Sequence, residues 1–163
     1  MSEAPGRIAL DGERATLEFE RRLPHPVHEV WAAVTEPEQR SAWIGRSSVD
    51  GRVGGRITTD PDDPPVTPEA KRMTGDVLAW EPGRTFAHSW NQRIVEPGTV
   101  TYTFEEDGDG TLLRFRHEGL SPKNAAGFIP GTHAYLDRLA AHLAGAPIPG
   151  WRDRFAEVSP LYA

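Results

Sequence analysis

The chain has 163 residues, a formal net charge of −6 and no cysteine. This length is enough for one domain with a sizeable core, and the lack of cysteine excludes disulfides, zinc thiolate sites and thiol nucleophiles. Basic residues are not clustered, which argues against a nucleic-acid partner, and no apolar run has the length of a signal peptide or a membrane span. We therefore expect a cytoplasmic protein without a nucleic-acid or membrane partner.

The first part of the sequence predicts one strand, two short helices and a hairpin. Residues 15–23 alternate between apolar and charged side chains, as a half-buried strand does. Residues 26–34 carry apolar side chains at helical spacing, and residues 35–44 predict a second short helix that buries Trp43. Two turn signals within residues 47–59 predict a hairpin, although they leave its register undetermined.

The next segment, residues 60–71, contains four prolines and no periodic pattern. It predicts a long exposed loop that could act as a mobile lid. Four strands then follow, and adjacent strands of the predicted sheet run antiparallel. Their predicted ranges are 72–80, 84–92, 99–107 and 111–119.

The sequence ends with a predicted long helix and a tail. Residues 128–145 place apolar side chains on one stripe, and Gly145 predicts the helix end. The aromatic residues Trp151, Phe155 and Tyr162 in the tail could pack on the domain or on a second copy, which leaves a homodimer open. Strands followed by a long covering helix predict an α+β domain with a core at 15–145 and a tail at 146–163.

Several stretches resemble one known superfamily. They are RRLPHPVHEVWAAVTEPEQRSAWI at 21–44, VGG at 53–55, GDVLAWEPGRTFAHSW at 75–90, TVTYTFEEDGDGTLLRFRHEGL at 99–120 and YLDRLAAHLAG at 135–145. In these stretches the chain resembles the START-like, or birch-pollen-allergen-like, superfamily (SRPBCC-type domains). Within that superfamily it is similar to bacterial homologues of the activator of the heat-shock-protein-90 ATPase.

The resemblance implies a helix-grip fold, in which a curved antiparallel sheet of six or seven strands wraps around the long C-terminal helix. It also implies a hydrophobic pocket between sheet and helix, and it brings no catalytic set with it. One departure concerns the last helix, where family members often have Gly-Trp and this chain has Gly131-Thr132-His133.

The segment TFAHSW at 85–90 places a histidine between two aromatic residues on one strand face. Counting back from the VEPG turn predicts that Trp90 pairs with Val100, His88 with Tyr102 and Phe86 with Phe104, with a slip of two residues left open. Counting across the GDG turn predicts three further pairs, which are Val100 with His117, Tyr102 with Phe115 and Phe104 with Leu113. Polar groups then lie at the centre of an aromatic face, as small-molecule sites require.

The predicted pocket consists of residues from this face, from the second short helix and from the long helix. They are Trp43, Phe86, His88, Trp90, Tyr102, Phe104, Phe115, His117, Phe128, Thr132, Tyr135, Leu136 and Leu139. We predict that the pocket binds a small apolar or aromatic molecule, with no cofactor and no metal. His25 and His28 have no further ligands to complete a metal site, and the Asp107–Asp109 stretch has a hairpin turn pattern rather than a calcium loop.

Two other functions stay open at this point. One is an enzyme of the cyclase or hydrolase kind, in which His88, Tyr102 and His117 transfer protons. The other is a protein-interaction module of the co-chaperone type, which predicts an exposed docking patch, a packed interior and a chaperone partner. The sequence favours the binding protein, because the polar residues lie on the inward face of the predicted strands.

Overall fold

The computed structural model describes residues 5–62 and 67–163. Its elements, in chain order, are β1 (Arg7–Asp11), β2 (Arg14–Leu23), α1 (Val27–Thr35), α2 (Pro37–Trp43), β3 (Gly45–Val49), β4 (Arg56–Pro61), α3 (Pro68–Lys71), β5 (Met73–Glu81), β6 (Thr85–Trp90), β7 (Gly98–Asp107), β8 (Gly110–Leu120), α4 (Pro122–Ala144) and α5 (Trp151–Val158). A short 3-10 helix at Ser159–Tyr162 follows α5.

The strands form one antiparallel sheet in the order β1-β2-β8-β7-β6-β5-β4-β3. The long helix α4 packs against β2 and β8, while α1 and α2 follow β2 and cover another part of the same face. This arrangement is the α+β helix-grip fold that the resemblance implied. It places a continuous apolar core between the inner face of the sheet and α4.

The sheet has eight strands rather than six or seven. The additional strand is β1, which pairs with β2 from Arg7 opposite Glu18 to Asp11 opposite Arg14. Gly12 lies in the connecting turn with a φ of 63°, which glycine adopts without strain. All five residues of β1 are exposed. Its sequence has three consecutive apolar residues, Ile8 to Leu10, and so lacks the alternation of apolar and polar side chains by which a half-buried strand is recognised.

The predicted register of β7 with β8 is confirmed, and that of β6 with β7 is wrong by two residues. Tyr102 lies opposite Phe115 as predicted, whereas His88 lies opposite Val100 rather than Tyr102. Pairing continues to Gly98, opposite Trp90, a position at which a side chain would collide with the carbonyl oxygen of Glu118 on β8. A shift of two keeps every side chain on its predicted face.

The long helix begins at Pro122, six positions before the predicted start. The Ser121 hydroxyl accepts a hydrogen bond from the amide of Asn124 and caps the first turn. Pro130, the third residue of the predicted helix, lies in the interior of α4. A proline leaves the carbonyl four residues earlier without its helical partner, and that residue, Ala126, is exposed to water. The predicted end is confirmed, since Gly145 adopts a φ of 66°.

The predicted loop at 60–71 is shorter than expected at both ends. The strand β4 continues to Pro61, and Pro68–Lys71 forms the short helix α3, whose N-cap Thr67 accepts a hydrogen bond from Ala70. Residues 63–66, the centre of the predicted lid, lie outside the described residues.

The tail packs on its own chain. The indole Nε1 of Trp151 donates to the carbonyl of Gly131 at 3.1 Å, and the rings of Trp151 and Phe155 lie 5.1 Å apart. The hydroxyl of Tyr162 lies 2.7 Å from Nδ1 of His133. The helix α5 is thereby held against α4.

Candidate functional site

A cavity of about 430 Å³ lies between α4, the inner face of β6–β8 and α5. Its walls are mainly aromatic and aliphatic side chains, with few polar groups. The lining residues are Trp43, Ile44, Pro61, Trp90, Gln92, Ile94, Tyr102, Phe115, His117, Gly127, Phe128, Gly131, Thr132, Tyr135, Leu136, Trp151, Arg152 and Phe155. An apolar space of this size with a few polar atoms matches a small-molecule site.

The structure brings nine of the thirteen sequence-predicted residues to this cavity. They are Trp43, Trp90, Tyr102, Phe115, His117, Phe128, Thr132, Tyr135 and Leu136. It does not bring Phe86, His88, Phe104 or Leu139 to the lining of the cavity. These four residues are buried in the core, with exposed fractions of 6% or less.

An aromatic cluster explains why this end of the sheet is filled. The ring of Trp31 lies 5.2 Å from Phe104, 5.1 Å from Trp80 and 6.4 Å from Phe86. Alternation along a strand predicts which side chains point inward, but not which of them meet a helix that fills the space. Here α1 supplies Trp31 and occupies the volume in front of Phe86 and Phe104.

Sequence reasoning missed the wall that α5 contributes. Trp151 and Phe155 are four residues apart and therefore share one face of a helix, a spacing that could have identified α5. Gln92 and Ile94 lie in the connection between β6 and β7. Gln92 ends the predicted strand at 84–92 and has the parity of Trp90, a signal that could have identified it, whereas no pattern marks Ile94.

His88 is a core residue with one satisfied nitrogen. It is fully buried, and its Nδ1 lies 2.9 Å from the carbonyl oxygen of Ser89. Because a carbonyl only accepts, Nδ1 carries the hydrogen, and Nε2 is then an acceptor without a partner among the described residues. Burial, reinforced by the nearby charge of Arg40, lowers the pKa of His88 to about 3. The imidazole is therefore neutral at pH 7.

His117 is the histidine that faces the cavity. Its ring lies 5.1 Å from that of Trp90 and 5.7 Å from that of Phe128. Burial lowers the pKa of His117 to about 4, so this side chain is also neutral at pH 7. Its Nε2 is buried and has no hydrogen-bond partner within the described part of the chain.

Tyr102 lines the cavity with a buried cation behind it. The guanidinium of Arg40 is close enough to Tyr102 to influence the pKa of its phenol, and Arg40 itself is fully buried. Burial raises the pKa of Tyr102, and the positive charge of Arg40 opposes that rise. Tyr102 therefore stays protonated at pH 7, with its phenol beside a positive charge.

Other polar groups of the wall are bonded within the protein. Gln92 accepts a hydrogen bond from Nε1 of Trp90 at 3.0 Å and donates one to the carbonyl of Lys71. The hydroxyl of Tyr135 donates to the carbonyl of Asp62 at 2.6 Å. These bonds orient Trp90 and Tyr135, whose rings form part of the cavity wall.

Residues 5–62 and 67–163 contain no cluster of histidine and acidic side chains that could hold a metal ion. His25 and His28 accordingly acquire no third ligand among these residues. No helix formed by the described residues has both the length and the apolar character needed to span a bilayer.

The sequence matches the model of one protein family, described as Activator of Hsp90 ATPase homolog 1-like protein, over residues 24–144. The chain belongs to this family. The match begins after β2 and ends with α4, so it includes most of the cavity wall and excludes α5. A comparison with curated protein sequences found no match to the chain.

Several solved structures have the same fold as this chain. The crystal structure of CalU16 from Micromonospora echinospora has 27% identity and a TM-score of 0.75, covering 97% of this chain and 92% of that one. The protein encoded by gene BPP1335 of Bordetella parapertussis has 23% identity and a TM-score of 0.73, with coverages of 98% and 89%. Protein MLL2253 of Mesorhizobium loti has 24% identity and a TM-score of 0.69, with coverages of 81% and 98%. At these identities the last two show the fold alone.

Proposed function

We propose that this family member binds a small, mainly apolar or aromatic molecule in the cavity beneath α4. The observation that carries the proposal is the space of about 430 Å³ between sheet and helices, with mainly aromatic and aliphatic walls, which resembles the clefts that bind small molecules. His117 supports it, because a buried nitrogen without a protein partner can be satisfied by a polar atom of a ligand. The nine predicted residues that line the cavity are the proposed ligand contacts.

The alternative functions receive less support. Proton transfer by His88, Tyr102 and His117 together requires all three at the substrate, and His88 does not line the cavity. A co-chaperone module predicts a packed interior, whereas this interior contains a cavity. We therefore favour binding without catalysis, by one helix-grip domain whose core spans 15–145 and whose tail, 146–163, completes the wall. A cytoplasmic location stays a prediction, and so does a homodimer.

Native mass spectrometry of the purified protein, followed by extraction of any bound compound, tests the proposal. A co-purified small molecule supports it. The variant Thr132→Phe adds a ring at the cavity wall, so we expect it to lose the compound, whereas Ala126→Phe, an exposed position on the same helix, should retain it. An empty wild-type protein that shows no melting-temperature shift with a panel of lipids and aromatic compounds would contradict the proposal.

A further inference from the structure

The side chain of Arg40 is a buried cation whose neighbours are neutral. Its Nη1 donates to the carbonyl of Val34 at 2.8 Å, its Nη2 to the hydroxyl of Thr59 at 3.1 Å and its Nε to the hydroxyl of Ser47 at 3.2 Å. The ring of Trp43 lies 5.8 Å from its Cζ. Among the residues that the structure describes, no carboxylate is within 4.0 Å of this guanidinium.

Such a site is electrostatically incomplete. An arginine keeps its charge in proteins, and a buried charge is ordinarily paired with an opposite one. The carbonyl of Val34 lies at the C-terminal end of α1, where the helix dipole is negative, and this offsets part of the cost of desolvation. Hydroxyl and carbonyl dipoles still leave a net positive charge in a region of low dielectric constant.

Two of the groups beside Arg40 also line the cavity, namely Tyr102 and Trp43. A guanidinium has no acceptor, so the phenol hydrogen of Tyr102 is not used by Arg40 and is left to donate elsewhere. The positive charge of Arg40 favours the ionised form of this phenol and so makes its hydroxyl a stronger donor. At the cavity surface, the charge of Arg40 therefore acts by strengthening the hydroxyl of Tyr102 as a hydrogen-bond donor.

The remaining charges of the wall have the same sign. None of the eighteen lining residues is acidic, and the one charged residue among them is Arg152. His117 is neutral at pH 7 and adds no negative charge. An anionic group inside the cavity would consequently meet no carboxylate among the described residues of the wall.

We propose that the molecule bound in this cavity is an organic acid, with an apolar body and a carboxylate, enolate or phenolate oxygen that accepts a hydrogen bond from Tyr102 at the Arg40 end. This inference rests on the proposed binding function and adds the chemical class of the ligand. In this arrangement the ligand oxygen supplies the counter-charge that the protein does not provide to Arg40.

Two isosteric probes test the inference. Isothermal titration calorimetry at pH 7 compares 2-naphthoate with 2-naphthamide, which differ in the charge of one small group. We expect the carboxylate to bind wild-type protein at least about tenfold more tightly. Tyr102→Phe removes only the hydroxyl and should reduce the preference to less than about threefold. Tyr135→Phe, the matched control, removes a hydroxyl from another tyrosine of the wall and should leave the preference unchanged.

A second measurement needs no variant and so does not depend on how Tyr102→Phe folds. Bound 2-naphthol should ionise at a pH at least about one unit lower than in buffer, because a tenfold preference for the anion corresponds to one unit. Its absorbance against pH, with and without wild-type protein, provides the comparison.

The outcomes separate the two proposals. Equal affinities for naphthoate and naphthamide, or a preference that survives Tyr102→Phe, overturn the inference and leave the cavity as a binding site. Failure of both probes to bind overturns the inference, and the binding function is overturned with it only if the protein is also empty and no compound of the lipid and aromatic panel shifts its melting temperature. An unshifted ionisation of bound 2-naphthol also contradicts the anionic class.

Discussion

The hydroxyl of Tyr162 lies 2.7 Å from Nδ1 of His133 and accepts a hydrogen bond from the amide of Gly6 at the same distance. One phenol thus joins the 3-10 helix after α5, the middle of α4 and the residue before β1. His133 is fully buried, and its Nε2 lies 3.3 Å from a carboxylate oxygen of Asp137. This connection holds the α5 wall of the cavity in place.

We expect Tyr162→Phe to lower the free energy of unfolding by about 1–2 kcal/mol, because it leaves two polar groups without their partner. Urea denaturation followed by circular dichroism measures the change. Leu161→Ala is the control, since that side chain is half exposed and its loss should change stability by about 0.5 kcal/mol or less. Equal effects of the two substitutions would show that the hydroxyl contributes nothing.

The buried histidines predict a loss of stability in weak acid. The folded-state pKa is about 3 for His88 and about 4 for His117, both below the ordinary value of 6.5. Below pH 6.5 the unfolded chain therefore binds protons that the folded chain does not. The free energy of unfolding should be greatest above pH 6.5 and decrease as the pH falls toward 4, by up to about 1.4 kcal/mol per pH unit for each histidine.

The variant His88→Phe isolates one of these contributions. Between pH 6 and pH 5 we expect its free energy of unfolding to depend less steeply on pH than that of the wild type, by up to about 1.4 kcal/mol per pH unit. Denaturation curves in the two buffers give both slopes. The comparison uses slopes, so a constant difference in stability between the proteins does not affect it. Parallel slopes would mean that His88 takes up its proton without unfolding.

Glu96 fixes the beginning of α4. Its carboxylate accepts hydrogen bonds from the amide of Ser121 at 3.0 Å and from the side chain of Asn124 at 3.1 Å, and these bonds lower the pKa of Glu96 to about 2. The contribution of this carboxylate should be complete above its ordinary pKa of 4.5 and should disappear as the pH falls through 2.

We accordingly expect Glu96→Gln to lower the melting temperature at pH 7, and the difference from the wild type to shrink as the pH falls from about 4.5 to 2. Thermal unfolding across this range is the measurement. Glu106→Gln, an exposed carboxylate on β7, is the matched control and should produce no comparable difference. A Glu96→Gln effect that is the same at pH 7 and pH 2.5 would point to packing rather than charge.

Alanine substitutions at two glycines of α4 should have opposite effects on stability. A methyl group on Gly131 would lie 2.9 Å from the ring of Trp151, whereas a methyl group on Gly127 would have no atom within 4 Å. Gly131→Ala should displace α5 and destabilise the protein by about 1–3 kcal/mol, with faster proteolysis of residues 146–150. Gly127→Ala should stabilise it by about 0.5–1 kcal/mol, because alanine favours the helix. Unchanged proteolysis in Gly131→Ala would show that α5 tolerates the added methyl group.

The sequence by itself determined the fold class and the inward faces of the central strands. Alternation in β6, β7 and β8 identifies the buried side chains because a strand has a period of two residues, and a slip of two leaves that assignment intact. The stripe on α4 and Gly145 likewise depend on local geometry. These local patterns, and the predicted second helix that carries Trp43, together identified nine of the residues that line the cavity.

Only the tertiary structure decided which inward residues meet empty space. Trp31 fills the volume in front of Phe86 and Phe104, while Trp151 and Phe155 line the same cavity as His117. The same holds for Arg40, which lies among polar residues in the sequence and becomes fully buried when the β3–β4 hairpin covers α2. Local periodicity specifies the direction of a side chain, whereas burial and unfilled volume depend on elements that are distant in the chain and adjacent only after folding.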